Sequence, residues 1–408
     1  MKRLLLVTAR PLDQPGGSTA RWRSFARHLP KLGWQVDVIA ARVPPGAAEF
    51  SADPRALRHS LRRSRLMSRV GRVSSPLFSL VGVNPEALPP SMAWIPRGAL
   101  QTRRRLRQGH YDALIATGPP FAALIAARLA SSSVSAPLVV ELRDLWASNP
   151  AYDRGGKLLN SLEAWVFKRA SAVVACTPEA VENIRSRHVA LASRILEIPN
   201  GFEPELLGKR ATVSRSAGRL AIMHSGALTP ARPLEPLLQV LSREPYRSSF
   251  CLVLHGFLAP EIRREVDAAR GSAEVVILPP SGWCAAVQQM AEADVTLISQ
   301  TRGAGDETAV AAKVYEYLAL GKPVLCLSHG GATEALLTRL NADKFCARLD
   351  DESSIEMALD HLRAEPLPEP LPASRLAPYD RRQLATRLVE LLESMEGSAK
   401  LRPIPSDP

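Results

Sequence analysis

Along most of its length the chain repeats one pattern: a short apolar run, a loop holding glycine or proline, then a stretch with apolar residues every third or fourth position. Runs of the first kind occupy residues 3–8, 35–40, 111–117, 137–142 and 172–176, and later 220–224, 250–256, 275–278, 294–299 and 323–327. Most are continuous rather than alternating, as strands are when a parallel sheet buries both their faces. Helical spacing is read over 19–32, stopped by Gly33, over 121–130 and over 156–169. It returns over 352–362 and 379–395, and Thr177-Pro178 is a helix cap with proline in the first turn. In 309–336, Val310, Val314 and Leu318 share a helical face that ends near Leu320, where Gly321 and Pro323 stop it. Gly330 and Gly331 then open another helix that Thr333 can cap. Strands alternating with helices predict an α/β protein with two doubly wound parallel sheets.

The pattern breaks at residues 205–218, which are small, polar and basic like a linker. This predicts one domain over 1–207, a second over 208–373, a helix in 374–396 after a proline-rich connector, and a disordered tail over 397–408. A chain of 408 residues with 46% apolar side chains is long enough for two packed cores. Cys176, Cys251, Cys284, Cys326 and Cys346 are scattered without CxxC or Cys/His spacing. They imply a reducing compartment and neither a zinc site nor a disulfide framework. The apolar part of the first ten residues is too short for a secretory signal, and Pro119, Pro120 and Arg128 interrupt the most apolar part before it reaches the length of a membrane span.

Charge changes the picture for the first half. Residues 1–200 carry 29 Lys and Arg against 13 Asp and Glu, whereas the remainder carries 23 against 27. The excess is densest over 55–72 and 97–107, beside Leu, Met and Val. Such stretches suit an anionic membrane surface, and a solvated basic face is the other reading. No helix-turn-helix, RNP-like or zinc-finger pattern accompanies them, so nucleic acid is not an expected partner. The expected place is the cytoplasm, peripherally on the inner face of the cell membrane.

Candidate chemistry collects at strand ends. Lys313 and Glu316 stand three apart on one helix face, where an ammonium can neutralise a diphosphate and a carboxylate can accept from ribose hydroxyls; a surface ion pair is the alternative. Backbone N–H groups at Gly330 and Gly331 suit phosphate. Gly226 follows one strand and lets backbone approach a ligand, with Arg232 close behind to grip a phosphate by two parallel bonds. Gly16 and Gly17 precede the first helix, from whose start Arg21 projects towards an anionic group. A further strand runs into Arg143, Asp144 and Trp146. There Asp144 can orient an acceptor hydroxyl or stabilise positive charge at a sugar carbon, or else the pair only staples the loop. Trp94, flanked by arginines, reads as an exposed interfacial anchor.

The run KVYEYLALGKPVL, residues 313–325, and ELRDLW, residues 141–146, together resemble the GT-B glycosyltransferases of family 4, especially bacterial enzymes that build surface polysaccharides. IPNGF at 198–202, the N-terminal glycines and Arg232 extend the resemblance over nearly the whole chain. It implies a GT-B fold, two Rossmann-like domains facing each other across a cleft, with a last helix crossing back to the first. It implies transfer, with retention, from a nucleotide-diphosphate sugar to a polysaccharide, lipid-linked or other cell-surface glycan acceptor, with no metal or other cofactor. Gly16, Gly17, Gly226, Arg232, Thr308, Lys313, Glu316, Gly330 and Gly331 are then donor-binding. Asp144, Arg143 and Glu316 are catalytic, Arg21, Trp94 and Trp146 lie on the acceptor side, and residues 279–283 cradle the base. Two positions depart from the pattern. Glu141 stands where an aspartate is usual, and Thr308, eight residues before Glu316, where many relatives carry a first glutamate. A nucleotide-sugar 2-epimerase of the same fold and a non-catalytic subunit of a polysaccharide assembly complex are the alternatives.

Overall fold

The structure is a computed structural model that describes residues 1–13, 17–41, 90–149, 156–207, 218–230, 232–300 and 305–399. The basic stretch 55–72, Gly16, most of the linker and the end of the expected tail lie outside those residues. The chain divides into two compact units, Met1–Ile198 with Ala385–Pro408, and Pro199–Leu384.

In the first unit, β1 (Lys2–Thr8), α1 (Gly17–His28), β2 (Trp34–Ala40), α2 (Ile95–Gln108), β3 (Ala113–Gly118) and α3 (Ala122–Ala130) are followed by β4 (Leu138–Leu142), α4 (Gly156–Arg169), β5 (Ala172–Ala175), α5 (Pro178–Arg187) and β6 (Ile195–Glu197). The strands form one parallel sheet in the order β2-β1-β3-β4-β5-β6. Leu4, Leu5, Leu6 and Val7 are all buried, which is why β1 reads as an unbroken apolar run: both its faces are covered. Five alanines of α3, at 122, 123, 126, 127 and 130, are buried too, and their small side chains let the helix lie close on the sheet. Thr177 caps α5 by accepting from the Ala180 amide.

α2 turns Gly98, Thr102 and Leu106 inward at a spacing of four. A Cβ on Gly98 would lie 2.7 Å from the Trp94 ring, so Trp94 covers that glycine and packs half-buried against the core. It is not the exposed anchor that its arginine neighbours suggested.

The second unit contains β7 (Leu220–Ser225), α6 (Glu235–Leu241), β8 (Phe250–His255), α7 (Pro260–Ala269), β9 (Val275–Leu278), α8 (Trp283–Glu292), β10 (Val295–Ser299), α9 (Lys313–Ala319), β11 (Val324–Ser328), α10 (Ala332–Arg339), β12 (Cys346–Arg348) and α11 (Glu352–Ala364). Its parallel sheet runs β12-β11-β10-β7-β8-β9. β7 pairs with β8 on one side and β10 on the other, so the strand order reverses at β7. Open α/β sheets bind ligands at that point, off the carboxyl ends of the strands. A last helix, α12 (Arg381–Ala399), contains the division between the units and runs on through residues expected as tail. Within the first unit it is tied down by Lys2 on Glu393 and by Arg387 donating to the Glu197 carbonyl.

α9 begins at Lys313, later than the apolar spacing implies. The amide of Ala311 donates to the Thr333 hydroxyl at 3.0 Å, which removes Thr333 as a cap for α10. Among the described residues no helix is long and apolar enough to cross a membrane.

Candidate active site

β7 ends in His224-Ser225-Gly226. Gly226 has φ 138°, a conformation that excludes a side chain, and a Cβ there would lie 2.7 Å from Cε of Lys313. Bare backbone is therefore what lets the Lys313 side chain lie across the end of β7. Lys313 opens α9, and one turn on Glu316 is buried, taking a long 3.5 Å hydrogen bond from Nε1 of Trp283. Arg232, in the loop after β7, folds back so that Nη1 donates to the Ala227 carbonyl at 2.9 Å. Burial lowers its pKa from the usual guanidinium value, against an opposing pull from Tyr317. The Tyr317 hydroxyl accepts from the Ser225 amide at 3.1 Å, and burial raises its pKa.

Two histidines complete this edge. His255, the last residue of β8, places Nδ1 3.0 Å from Ser225 Oγ and Nε2 2.9 Å from Ser281 Oγ. His224 Nδ1 lies 3.1 Å from the Leu297 carbonyl, which only accepts, so Nδ1 carries the hydrogen. Burial, then Arg232 and Lys313, push the His224 pKa down to about 3, and burial and Lys313 lower that of His255. Both rings are neutral at pH 7. The edge thus offers two cations, a side-chain-free backbone and a carboxylate one helical turn away.

Further along the sheet, a Cβ on Gly331 would lie 2.6 Å from the Asp306 carbonyl, and the Ala332 amide donates to that same oxygen at 2.9 Å. The Gly330 amide donates to Ser328 Oγ, which donates in turn to Glu334. The opening of α10 therefore engages the 305–308 loop, where Thr308 closes a turn on Gly305, and it carries a carboxylate in its first turn. Of the donor-binding residues read from the sequence, Gly226, Arg232, Lys313 and Glu316 meet around the end of β7. Gly330 and Gly331 follow β11, where Gly331 meets the 305–308 loop that contains Thr308.

In the first unit, β4 delivers Glu141, Arg143 and Asp144. The Glu141 carboxylate, 3% exposed, accepts from Arg21 Nε at 2.9 Å, Trp22 Nε1 at 2.6 Å and Thr117 Oγ1 at 2.6 Å. Burial pushes its pKa up, but Arg21 and the two hydrogen bonds outweigh that and hold it below the usual carboxylate range. This explains the departure at Glu141: the carboxylate is the interior tie between α1, β3 and β4. Arg21 belongs to that tie. It is 3% exposed and also donates to the Ile198 carbonyl, so it does not reach out as the sequence suggested.

Arg143 donates to the carbonyls of Gly118 and Pro119, and burial lowers its pKa against Glu141 and Asp144. Asp144 is raised by burial, with Arg143 and Arg10 opposing, and among the described residues nothing donates a hydrogen bond to it. It is the carboxylate at this sheet edge that keeps its acceptor capacity. Trp146 is 1% exposed and stacks on Phe121 with centroids 5.1 Å apart, so it belongs to the core. Gly17 is the first residue of α1.

Sequence reasoning passed over His224 and His255. The signal was available: each is the histidine of a strand-end motif, His224-Ser-Gly226 and His255-Gly256, on neighbouring strands. It also passed over the buried carboxylate of Glu163, which accepts from the Ala147 amide, Arg187 and His188. No local pattern marks that group, because its three donors come from the loop at Ala147 and the end of α5, both distant in sequence.

Residues 16–201 match the family described as Glycosyl transferase 4-like domain. The match covers just under half of the 408-residue chain and falls on the first sheet and its helices. No curated protein sequence matches the chain. Among solved structures it is similar to Alr3699/HepE of Anabaena in complex with UDP, at 16% identity and a TM-score of 0.63, covering 97% of this chain and 100% of that one. It is also similar to the trehalose-6-phosphate protein of E. coli bound with UDP-2-fluoro glucose, at 12% identity and a TM-score of 0.62, covering 98% and 100%. The lipopolysaccharide outer core galactosyltransferase WaaB follows at 11% and 0.62, covering 96% and 99%. At these identities the likeness speaks for the fold, which is of the GT-B type with two parallel α/β sheets.

Proposed function

We propose that the chain is a glycosyltransferase that moves a glycosyl group, with retention, from a nucleotide-diphosphate sugar to a polysaccharide, lipid-linked or other cell-surface glycan acceptor. The observation that carries the reading is the convergence of Gly226, Arg232, Lys313 and Glu316 where the second sheet reverses its strand order. Lys313 and Arg232 supply the positive charge that a departing diphosphate needs, placed before the reaction so that no reorganisation is required as charge develops. In this scheme no metal or other cofactor is needed. Glu316 accepts from ribose hydroxyls, and Trp283, 45% exposed and bonded to Glu316, lies where a base would stack. Asp144 and Arg143 serve the acceptor and the reacting sugar from the first unit. The neighbours bound with UDP and UDP-2-fluoro glucose support a uridine nucleotide as the first to test. The enzyme is expected in the cytoplasm, on the inner face of the membrane, where lipid-linked acceptors are found.

The test is a thermal-shift panel of UDP-, GDP-, ADP- and dTDP-sugars. A ligand that binds only the folded state raises the melting point by mass action, so one nucleotide is expected to stabilise the wild type. Arg232→Ala should remove that shift, because a charge-assisted bond of about 1.5–3 kcal/mol is lost, roughly a 10- to 100-fold loss of affinity. Silence of every nucleotide at millimolar concentration would overturn the reading.

A further inference from the structure

The two cations and the glycine backbone explain how a diphosphate is held, but not the imidazole beside them. His224 is 4% exposed, and its Nδ1–H is committed to the Leu297 carbonyl. Its Nε2 has no hydrogen-bond partner among the described residues and lies 3.7 Å from the position a Cβ on Gly226 would take, on the side where the Lys313 stem crosses. A buried acceptor left unmade costs about 1–3 kcal/mol, so its retention at the mouth of a ligand site calls for a ligand that satisfies it.

A diphosphate, however, presents only acceptor oxygens, and a neutral Nε2 presents only a lone pair. The two are compatible once a proton lies between them. We propose that His224 is a proton-carrying arm of the diphosphate site: Nε2 takes up one proton from solvent as the nucleotide-diphosphate sugar binds, and donates that N–H to a phosphate oxygen. The balance is simple. Neutral imidazole and a solvent proton give imidazolium, Nδ1 keeps its hydrogen on Leu297, and on dissociation the proton returns to solvent.

The surroundings make the switch work in that direction. The charged and titratable groups acting on His224 are Arg232, Lys313 and His255, and with burial each disfavours a charged ring in the empty site. A diphosphate brings two negative charges among them, and the repulsion becomes attraction. His255 is a weaker candidate, since both its nitrogens are already engaged with Ser225 and Ser281.

The inference rests on the nucleotide-diphosphate reading above, and the experiment separates the two. Calorimetry with UDP-glucose between pH 5.5 and 8, in buffers of different ionisation enthalpy, reads affinity and proton uptake together. A nucleotide sugar's diphosphate has no group that titrates in this range, so uptake reports the protein. Wild type should take up as much as one proton, with affinity falling by at most about tenfold per pH unit as pH rises, the limit for one linked proton. His224→Gln, uncharged at every pH used, should bind with a flat pH profile and no uptake, while His255→Gln should keep the slope. Binding without uptake in the wild type, or a slope that survives His224→Gln, would overturn the role of His224 and leave the donor reading standing. Absence of UDP-glucose binding at every pH would overturn the inference, and the panel of other nucleotide sugars would then decide whether the donor reading falls with it.

Discussion

A carboxyl group whose pKa is raised by burial pays for its charge in the folded state, and Asp144 is such a group. Its folded pKa lies above the unfolded one, so the destabilisation is fully present above the folded value and fades as pH falls through it towards the unfolded one. Asp144→Asn keeps the shape and removes the charge. It is expected to raise the melting temperature at pH 7, with a gain that shrinks towards pH 4, while nucleotide binding persists and sugar transfer is lost. An unchanged melting point together with retained transfer would remove Asp144 from the reaction. The contrast with Glu141, three residues earlier, shows what sequence can and cannot tell. Both stood out at the end of the same strand, yet three donors satisfy Glu141 inside the protein and none of the described groups satisfies Asp144. Only the folded chain separates a carboxylate with three donors from one with none among the described residues. Trp146 likewise read as ligand-facing because an indole followed two charges, and its stacking on Phe121 depends on a helix whose closeness no linear pattern reports.

At the scale of elements, the loop carrying Asp144 is held by Glu163 of α4. The Ala147 amide donates to one carboxylate oxygen at 3.0 Å, and Arg187 and His188, from the end of α5, meet the other. Burial pushes the Glu163 pKa up, and His188, Arg187 and the Ala147 amide together bring it below the ordinary value. The sign is opposite to that of Asp144: this stabilisation is present above the unfolded pKa and is lost as pH falls through the folded one. Glu163→Ala leaves Arg187 and the amide without their partner and should cost about 3 kcal/mol, read as a lower urea midpoint at unchanged slope. The deficit should narrow on acidification, and a variant as stable as wild type at pH 7 would show that the loop is held by other contacts. Most strands were legible to within a residue or two because buried parallel strands are continuous apolar runs, as at β1 and β11. α7, α8, β6 and β12 were not, since α7 shows charge on most of its surface and β6 and β12 are only three residues long.

For the whole molecule, the charge asymmetry has a place to act. α2 turns Gly98, Thr102 and Leu106 into the core, and on the opposite side Arg97, Arg103, Arg104 and Arg107 are exposed around Leu100, itself 70% exposed. An apolar side chain ringed by guanidiniums suits the headgroup region of an anionic bilayer, where lipid-linked acceptors reside. Each base near such a surface contributes about 1 kcal/mol, so replacing Arg103, Arg104 and Arg107 by serine should weaken binding to phosphatidylserine vesicles roughly 100-fold. All three are exposed on α2 and none belongs to the candidate site, so transfer to a soluble acceptor analogue should be unaffected. Raising the salt concentration should mimic the substitution, because a Debye length of about 8 Å at physiological ionic strength shortens to about 3 Å at 1 M. Leu100→Ser should instead lower binding by an increment that persists in high salt, since it removes apolar burial rather than charge. Equal sedimentation with neutral and anionic vesicles, or binding untouched by the three serines, would leave this face as an ordinary solvated surface.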